Sequence, residues 1–351
     1  MSPNWPTARV ALVTGCSAGG IGYFLALELA ANGCQVYAAV RNTSKATELE
    51  ESGIVVVEMD VTRDDSVRPA VQKVIDKAGR IDILVNNAGL MCTGPVTDTD
   101  LQLAQTAFDT NVLGVARVCQ AVAPYMIKQR GGIIANVGSV SGYAATPWVG
   151  FYGATKAAVH TLSDAMRVEL APFNVKVVVV APGAIRSNLA THHDVALPEN
   201  SPFMPALPAI RDRAVFSQTG NSTPTDQFAK VVVARLLSRN PAAYITYGNH
   251  SKTNWLLRGC LEQLQQLSEA GYSLWPVGWQ GTSDPPEELH ITVDYNSIFT
   301  GKAHQFIAMW IPQQQHLQYM HITIEHTTSP ENVLLSDYES HAMIFVSILS
   351  E

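Results

Sequence analysis

Residues 14–22 read Thr14-Gly15-Cys16-Ser17-Ala18-Gly19-Gly20-Ile21-Gly22. They continue the β-branched run Val10–Thr14 and lead into residues 22–32, a stretch of helical period stopped by Gly33. Strand, glycine-rich turn and helix in that order bring backbone N–H groups and a helix N-terminus to one pyrophosphate. Glycines alone would equally mark an ordinary turn; their place between strand and helix favours a dinucleotide.

The pattern repeats outward from this turn. Runs at Gln35–Val40, 55–59, Ile83–Asn86, 133–137 and 175–180 read as buried strands. The last is apolar on consecutive positions, which suits a strand covered on both faces of a parallel sheet. Helical periods occupy Asp64–Ala78, with Val67, Val71, Val74 and Ile75 on one face and Gly79 as its stop, then 101–130, 151–170 and 225–238. This alternation predicts an α/β fold, a Rossmann-type doubly wound parallel sheet. Residues 198–224, rich in Pro, Ser and Asn, read as a long loop or lid. No internal repeat is present.

The second strand ends at Val40-Arg41-Asn42, about twenty residues beyond the glycines, where an NAD site usually places a carboxylate for the ribose 2′-hydroxyl. Arg41 stands there instead. A guanidinium fits a 2′-phosphate, so the expected cofactor is NADP(H). The plainer alternative is a solvated loop cation.

The 351 residues carry a net charge of −7, unevenly divided. Residues 1–260 hold 22 Lys/Arg against 19 Asp/Glu, a balance of +3; residues 261–351 hold Lys302 alone against eleven acidic residues, a balance of −10. No basic stripe suits nucleic acid, and that class is set aside. A hydrophobic fraction of 47% against 15% charged residues excludes a wholly disordered chain. Cys16, Cys34, Cys92, Cys119 and Cys260 are scattered and odd in number, which predicts a reducing compartment and no structural zinc. The opening MSPNWPTARV lacks the pattern of a secretory signal, and no apolar run approaches the ~18 residues of a membrane span.

Tyr152 and Lys156 stand at i and i+4 on one face of a predicted helix. A nearby ammonium would favour tyrosinate and lower the tyrosine pKa, readying it to exchange a proton with a substrate oxygen. Ser139, at the end of the fifth strand, could donate a hydrogen bond to the same oxygen. A helical tyrosine taken alone is more often core. Its coincidence with Lys156, Ser139 and the dinucleotide turn reverses that weighting. His192-His193 could suggest a metal, but adjacent side chains diverge, so no metal is expected. Cys16 lies where a helix N-terminus could acidify a thiol, though a passive turn residue is the plainer reading.

These landmarks resemble the short-chain dehydrogenase/reductase family: the TGCSAGGIG turn, Asp60-Val61, Asn86-Asn87-Ala88-Gly89, Asn111, Ser139, Tyr152-x-x-x-Lys156 and Pro182-Gly183, over residues 8–258. The turn is one residue longer than the family's TGxxxGxG; Gly15, Gly20 and Gly22 give the best register, with Gly19 extra. The resemblance implies carbonyl reduction, with hydride reaching the carbonyl carbon and Tyr152 protonating its oxygen. It implies that Lys156 also binds the nicotinamide ribose, and that Asn111 holds a water linking Lys156 to solvent; an amide bonded to backbone is compatible with that role. It further implies cofactor contacts at Gly15, Ser17, Gly20, Ile21, Gly22, Asp60, Val61, Asn87, Ala88, Gly89, Pro182, Gly183, Ile185 and Ser187.

Within the family the chain is most similar to fungal reductases of the 1-acyldihydroxyacetone-phosphate type. That similarity implies a lipophilic ketone, which Phe203, Met204, Leu207 and Ile210 of the lid could cover. Tailoring reduction of fungal secondary metabolites, or a non-catalytic NADP(H)-binding regulator, are the alternatives; intact Asn111, Ser139, Tyr152 and Lys156 argue against the latter. The expected partner is a small-molecule ketone or alcohol, in the cytoplasm, with peripheral endoplasmic-reticulum or lipid-droplet contact and homo-oligomerisation left open. Residues 261–351, with six of the ten histidines, fall outside the resemblance. They read as a C-terminal extension: an added domain, a partner-binding segment or one that does not pack.

Overall fold

All six β-branched runs form strands in the computed structural model, and a seventh joins them. The strands are β1 (Val10–Thr14), β2 (Gln35–Val40), β3 (Val55–Glu58), β4 (Ile83–Asn86), β5 (Gly132–Val137), β6 (Val175–Pro182) and β7 (Tyr244–Tyr247). The structure describes residues 8–144, 146–190, 195–218, 221–249 and 251, and three strands farther along the chain. His192, His193, Cys260 and Lys302 lie outside the described residues.

The seven strands make one parallel sheet in the order β3-β2-β1-β4-β5-β6-β7. Its order reverses between β1 and β4, and in open sheets of this kind ligands bind beyond the carboxyl ends of the strands at that reversal. Side chains alternate between two apolar layers. Ala11 and Val13, Val36 and Ala38, Ile83 and Val85, and Val178 and Val180 face α1 (Ile21–Ala31) and α8 (Thr225–Leu236). Val10 and Leu12, Tyr37 and Ala39, Leu84, and Val175 and Val177 face the helices α3 (Asp64–Ala78), α5 (Gly114–Gln129) and α6 (Gly150–Leu170). Burial on both faces is why these strands read as continuous apolar runs. Gly33 and Gly79 end α1 and α3 at φ of 80° and 73°, left-handed values that glycine adopts without a Cβ penalty.

A short α2 (Thr47–Glu51) follows β2, and two segments differ from the sequence expectation. Residues 101–130 form a continuous helical run that is not uniformly α: α4 (Leu101–Phe108) and α5 are joined by a π turn over Asp109–Leu113. The expected loop at 198–224 contains α7 (Leu207–Val215), flanked by short 3₁₀ turns at Met204–Ala206 and Phe216–Gln218. Pro205 and Pro208 sit in first turns, where a missing N–H costs nothing. Ile210 and Ala214, one turn apart, bury against Trp148, Phe203 and Leu207. Prolines that looked like loop composition are helix starts.

The chain divides into two units, Met1–Trp255 and Leu256–Glu351. The second contains β8 (Glu288–Asp294), β9 (Tyr319–His326) and β10 (Met343–Ser350), a parallel sheet in the order β10-β9-β8. Tyr319 is in register with both Glu288 and Met343.

Candidate active site

The turn after β1 is folded back by its own backbone. Gly15 N–H and Cys16 N–H both donate to Ala39 O, and Gly20 N–H donates to Ser17 O. Gly15 and Gly19 take φ of 71° and 74°, so Gly19, the extra residue of the turn, is one of its two left-handed positions. Gly20 stands at the N-terminus of α1, where no side chain caps the helix and Ile21 opens it. A Cβ on Gly22 would fall 2.4 Å from Asn87 Nδ2 and 2.7 Å from Gly15 O. Asn87 Nδ2 donates to both Thr14 O and Gly15 O at 3.0 Å, and Thr14 Oγ1 accepts from the N–H groups of Asn87 and Ala88. The turn and the β4 loop are thus laced together around positions that have no room for side chains. An uncapped helix N-terminus behind a turn of bare backbone fits a dinucleotide pyrophosphate.

Cys16 is the passive residue of the two readings. It is fully buried, its Sγ points at Val13 O and Gly22 O, and burial pushes its thiol up. Among the described residues no cluster of three His, Cys, Asp or Glu side chains could hold a metal, and no helix is long and apolar enough to cross a membrane.

Arg41 is exposed just beyond β2, and its charge acts on Asp60 beyond β3. Partial burial raises the Asp60 carboxyl, but two bonds from Thr62 and the charges of Arg41 and Arg63 outweigh it and hold the group below its ordinary range. Val61 is buried, packs at Gly114 and accepts a 2.7 Å bond from Arg117 at its carbonyl. On the far side, Gly183 N–H donates to Tyr247 O, and a Cβ there would meet Asn249 O at 2.1 Å. Ile185 bridges to Thr223, and Ser187 N–H donates to Gln218 at 2.7 Å.

Between these walls lie the candidate catalytic side chains. Ser139 follows β5 and accepts from Ser141 N–H at 3.1 Å, while its own N–H reaches His160 Nε2 at 3.4 Å. Tyr152 and Lys156 project from the first turns of α6, both buried. Lys156 Nζ donates to Val137 O at 2.9 Å and stands 5.6 Å from the Tyr152 ring centroid. Asn111 lies in the π turn, fully buried, with Oδ1 accepting from Leu90 N–H and Nδ2 donating to Leu90 O and Thr155 Oγ1. A Cβ on Gly89 would sit 3.4 Å from Asn111 Oδ1 and 3.6 Å from Lys156 Nζ, so the two side chains converge there.

The titration differs from the sequence expectation. Burial raises Tyr152 to about 12, opposed by a hydrogen bond from Ser139 and the charge of Arg213. Burial alone brings Lys156 down to about 8. Helical spacing puts Lys156 beside Tyr152, but desolvation dominates both groups. The cation acting on the phenol is Arg213 of α7, whose position in the chain gave no signal. His160 was missed as well, although it continues the i, i+4 series from Tyr152 and Lys156. A side chain on Gly138 or Gly142 would run into its ring.

The family model for short chain dehydrogenases matches residues 9–196. The chain is a short-chain dehydrogenase. This oxidoreductase is 37% identical over 246 residues to the short-chain dehydrogenase virD of Hypocrea virens, covering 69% of this chain and 84% of that one. It is 34% identical over 229 residues to the NADPH-dependent 1-acyldihydroxyacetone phosphate reductase of Schizosaccharomyces pombe, over 64% and 74% of the two chains. A crystal structure of a short-chain dehydrogenase from Streptomyces avermitilis superposes with a TM-score of 0.64 at 28% identity, covering 75% of this chain and 98% of that one. Members of the family use a nicotinamide dinucleotide, and the bare-backbone turn suits one.

Proposed function

We propose that this short-chain dehydrogenase is an NADPH-dependent reductase of a lipophilic ketone, with Tyr152 as the proton donor and residues 8–258 as the catalytic domain. One observation carries the reading: Ser139, Tyr152 and Lys156 lie together at the carboxyl ends of the strands. The S. pombe relative, named as an NADPH-dependent 1-acyldihydroxyacetone phosphate reductase, supports both cofactor and substrate class.

The cofactor supplies hydride when bound. Its pyrophosphate would be held by the turn at Gly15, Ser17, Gly20, Ile21 and Gly22, its 2′-phosphate by Arg41, and its adenine by Asp60 and Val61. Asn87, Ala88 and Gly89 would line it, Asn111, Tyr152 and Lys156 would serve its ribose end, and Pro182, Gly183, Ile185 and Ser187 would flank its carboxamide. The chain's own residues manage the proton. A phenol raised to about 12 keeps its proton at neutral pH, the form needed to protonate an alkoxide. Ser139, as donor, steadies the phenolate that remains. Lys156, brought down to about 8, can pass a proton near neutrality. Of the four apolar lid residues expected to cover a substrate, Ile210 is spent on the lid's own core, Phe203 and Leu207 pack partly against it, and Met204 stays exposed.

The test is NADPH oxidation over a panel of acylated, aliphatic and aromatic ketones with the wild type and Tyr152→Phe. Loss of an acid of this kind should lower kcat by about 10²–10⁴-fold while NADPH still binds. Equal rates in the two proteins would defeat the mechanism, and binding without turnover of any ketone would favour a regulator.

A further inference from the structure

Arg213 is the charged side chain that the proton chemistry above does not require. It projects from α7 toward the loop joining Ser139 to Tyr152, and its Nη2 donates to Thr146 Oγ1 at 3.2 Å. Its guanidinium carbon stands 5.4 Å from the Phe216 ring centroid, an apolar plate on one side. Among the described residues no carboxylate pairs with it. Arg213 is half-buried, and a guanidinium offers five donors in a planar fork, of which Thr146 takes one.

We propose that Arg213 is an anion subsite of the substrate pocket, selecting ketones that carry a carboxylate or phosphate a few bonds from the reacting carbonyl. The inference rests on the ketone-reductase reading and sharpens it by naming the charge of the substrate. The electrostatics agree. Arg213 acts on Tyr152 across the site, and burial lowers its own pKa, so an incoming anion would restore what desolvation has removed. The fork is suited to two parallel bonds to a planar or tetrahedral oxyanion. Thr146 and Phe216 hold the guanidinium near this position before the substrate arrives.

The test compares matched ketones that differ only in the anion: acetoacetate with its ethyl ester, and a 1-acyldihydroxyacetone phosphate with its dephosphorylated form. The first pair reports a carboxylate and the second a phosphate. The wild type should favour the anionic member of at least one pair in kcat/KM. Arg213→Leu should cut that preference about tenfold to a hundredfold, mainly through KM, the loss expected for a charge-assisted pair. Arg213→Lys should recover part of it. A preference unchanged in Arg213→Leu, or equal losses on charged and neutral members with a shifted pH profile, would overturn the subsite and make Arg213 a partner of Tyr152 alone. Calorimetric titration of the NADP+-bound protein with acetoacetate and with the 1-acyldihydroxyacetone phosphate separates this from failure of the reductase reading. Binding that Arg213→Leu abolishes supports the subsite even without turnover; binding the variant retains, or no binding of either anion to the wild type, overturns it.

Discussion

Lys156→Met should make the protein more stable at neutral pH while removing its activity. Lys156 is buried, and burial lowers it from 10.5 to about 8. At about 1.36 kcal/mol per pKa unit, the charged form costs the fold on the order of 3 kcal/mol relative to the unfolded chain. Methionine fills a similar volume without charge, but it leaves Val137 O without its 2.9 Å donor, which returns roughly 1 kcal/mol. The net expectation is a gain of about 2 kcal/mol in urea unfolding at neutral pH without added nucleotide. Between pH 8 and 10.5 the unfolded chain holds a proton on Lys156 that the folded chain has released. Wild-type stability therefore gains from this group as pH rises through that window, and the penalty is complete below it. The advantage of Lys156→Met should shrink across the same window, cross zero within it, and end above it as a deficit of about 1 kcal/mol, the bond to Val137 O that a neutral lysine still makes. Taking the difference between the two proteins cancels the tyrosines and thiols that titrate nearby. A difference independent of pH, or a variant less stable at neutral pH, would refute the assignment of desolvation as the dominant force on Lys156.

Two further outcomes follow from the cofactor side. Gly22→Ala puts a methyl group 2.4 Å from Asn87 Nδ2, so the bonds to Thr14 and Gly15 must break or the turn must open. Dinucleotide affinity in a fluorescence titration should fall by about tenfold or more, at the ~1–3 kcal/mol typical of overpacking, and unchanged affinity would show that the lacing is not needed. Arg41→Ala should raise the Kd of NADPH about 10–100-fold and leave NADH within about twofold. A parallel loss for both nucleotides would refute the 2′-phosphate role.

The parallel sheet was legible because its strands are covered on both faces and so leave unbroken apolar runs such as Val177–Val180. The turn, Ser139, Tyr152 and Lys156 were legible because each follows a strand end or keeps helical spacing. β7 escaped notice: Tyr244–Tyr247 is a four-residue edge strand with three half-buried positions, too short and too mixed for a period. α7 was hidden by prolines that mark its start. The titration of Tyr152 was misjudged because spacing fixes which side chains are neighbours but not where Nζ points or how dry the site is. Arg213 could not be found by pattern, since its meaning comes from Thr146 and Tyr152, about sixty residues away in the chain.

The π turn between α4 and α5 amounts to one inserted residue in an otherwise regular helix. Each residue turns an α-helix by about 100°, so the insertion changes the phase between the two halves. α5 can therefore keep Val115, Val118 and Val122 against the sheet while Asn111 aims elsewhere, at Leu90 and Thr155. A straight helix could serve one of these directions. Deleting a single residue from 109–113 would leave a better helix by propensity and a worse enzyme, with α5 seated in the core and position 111 rotated away from Gly89. The local irregularity is what lets one continuous segment answer to two different surfaces.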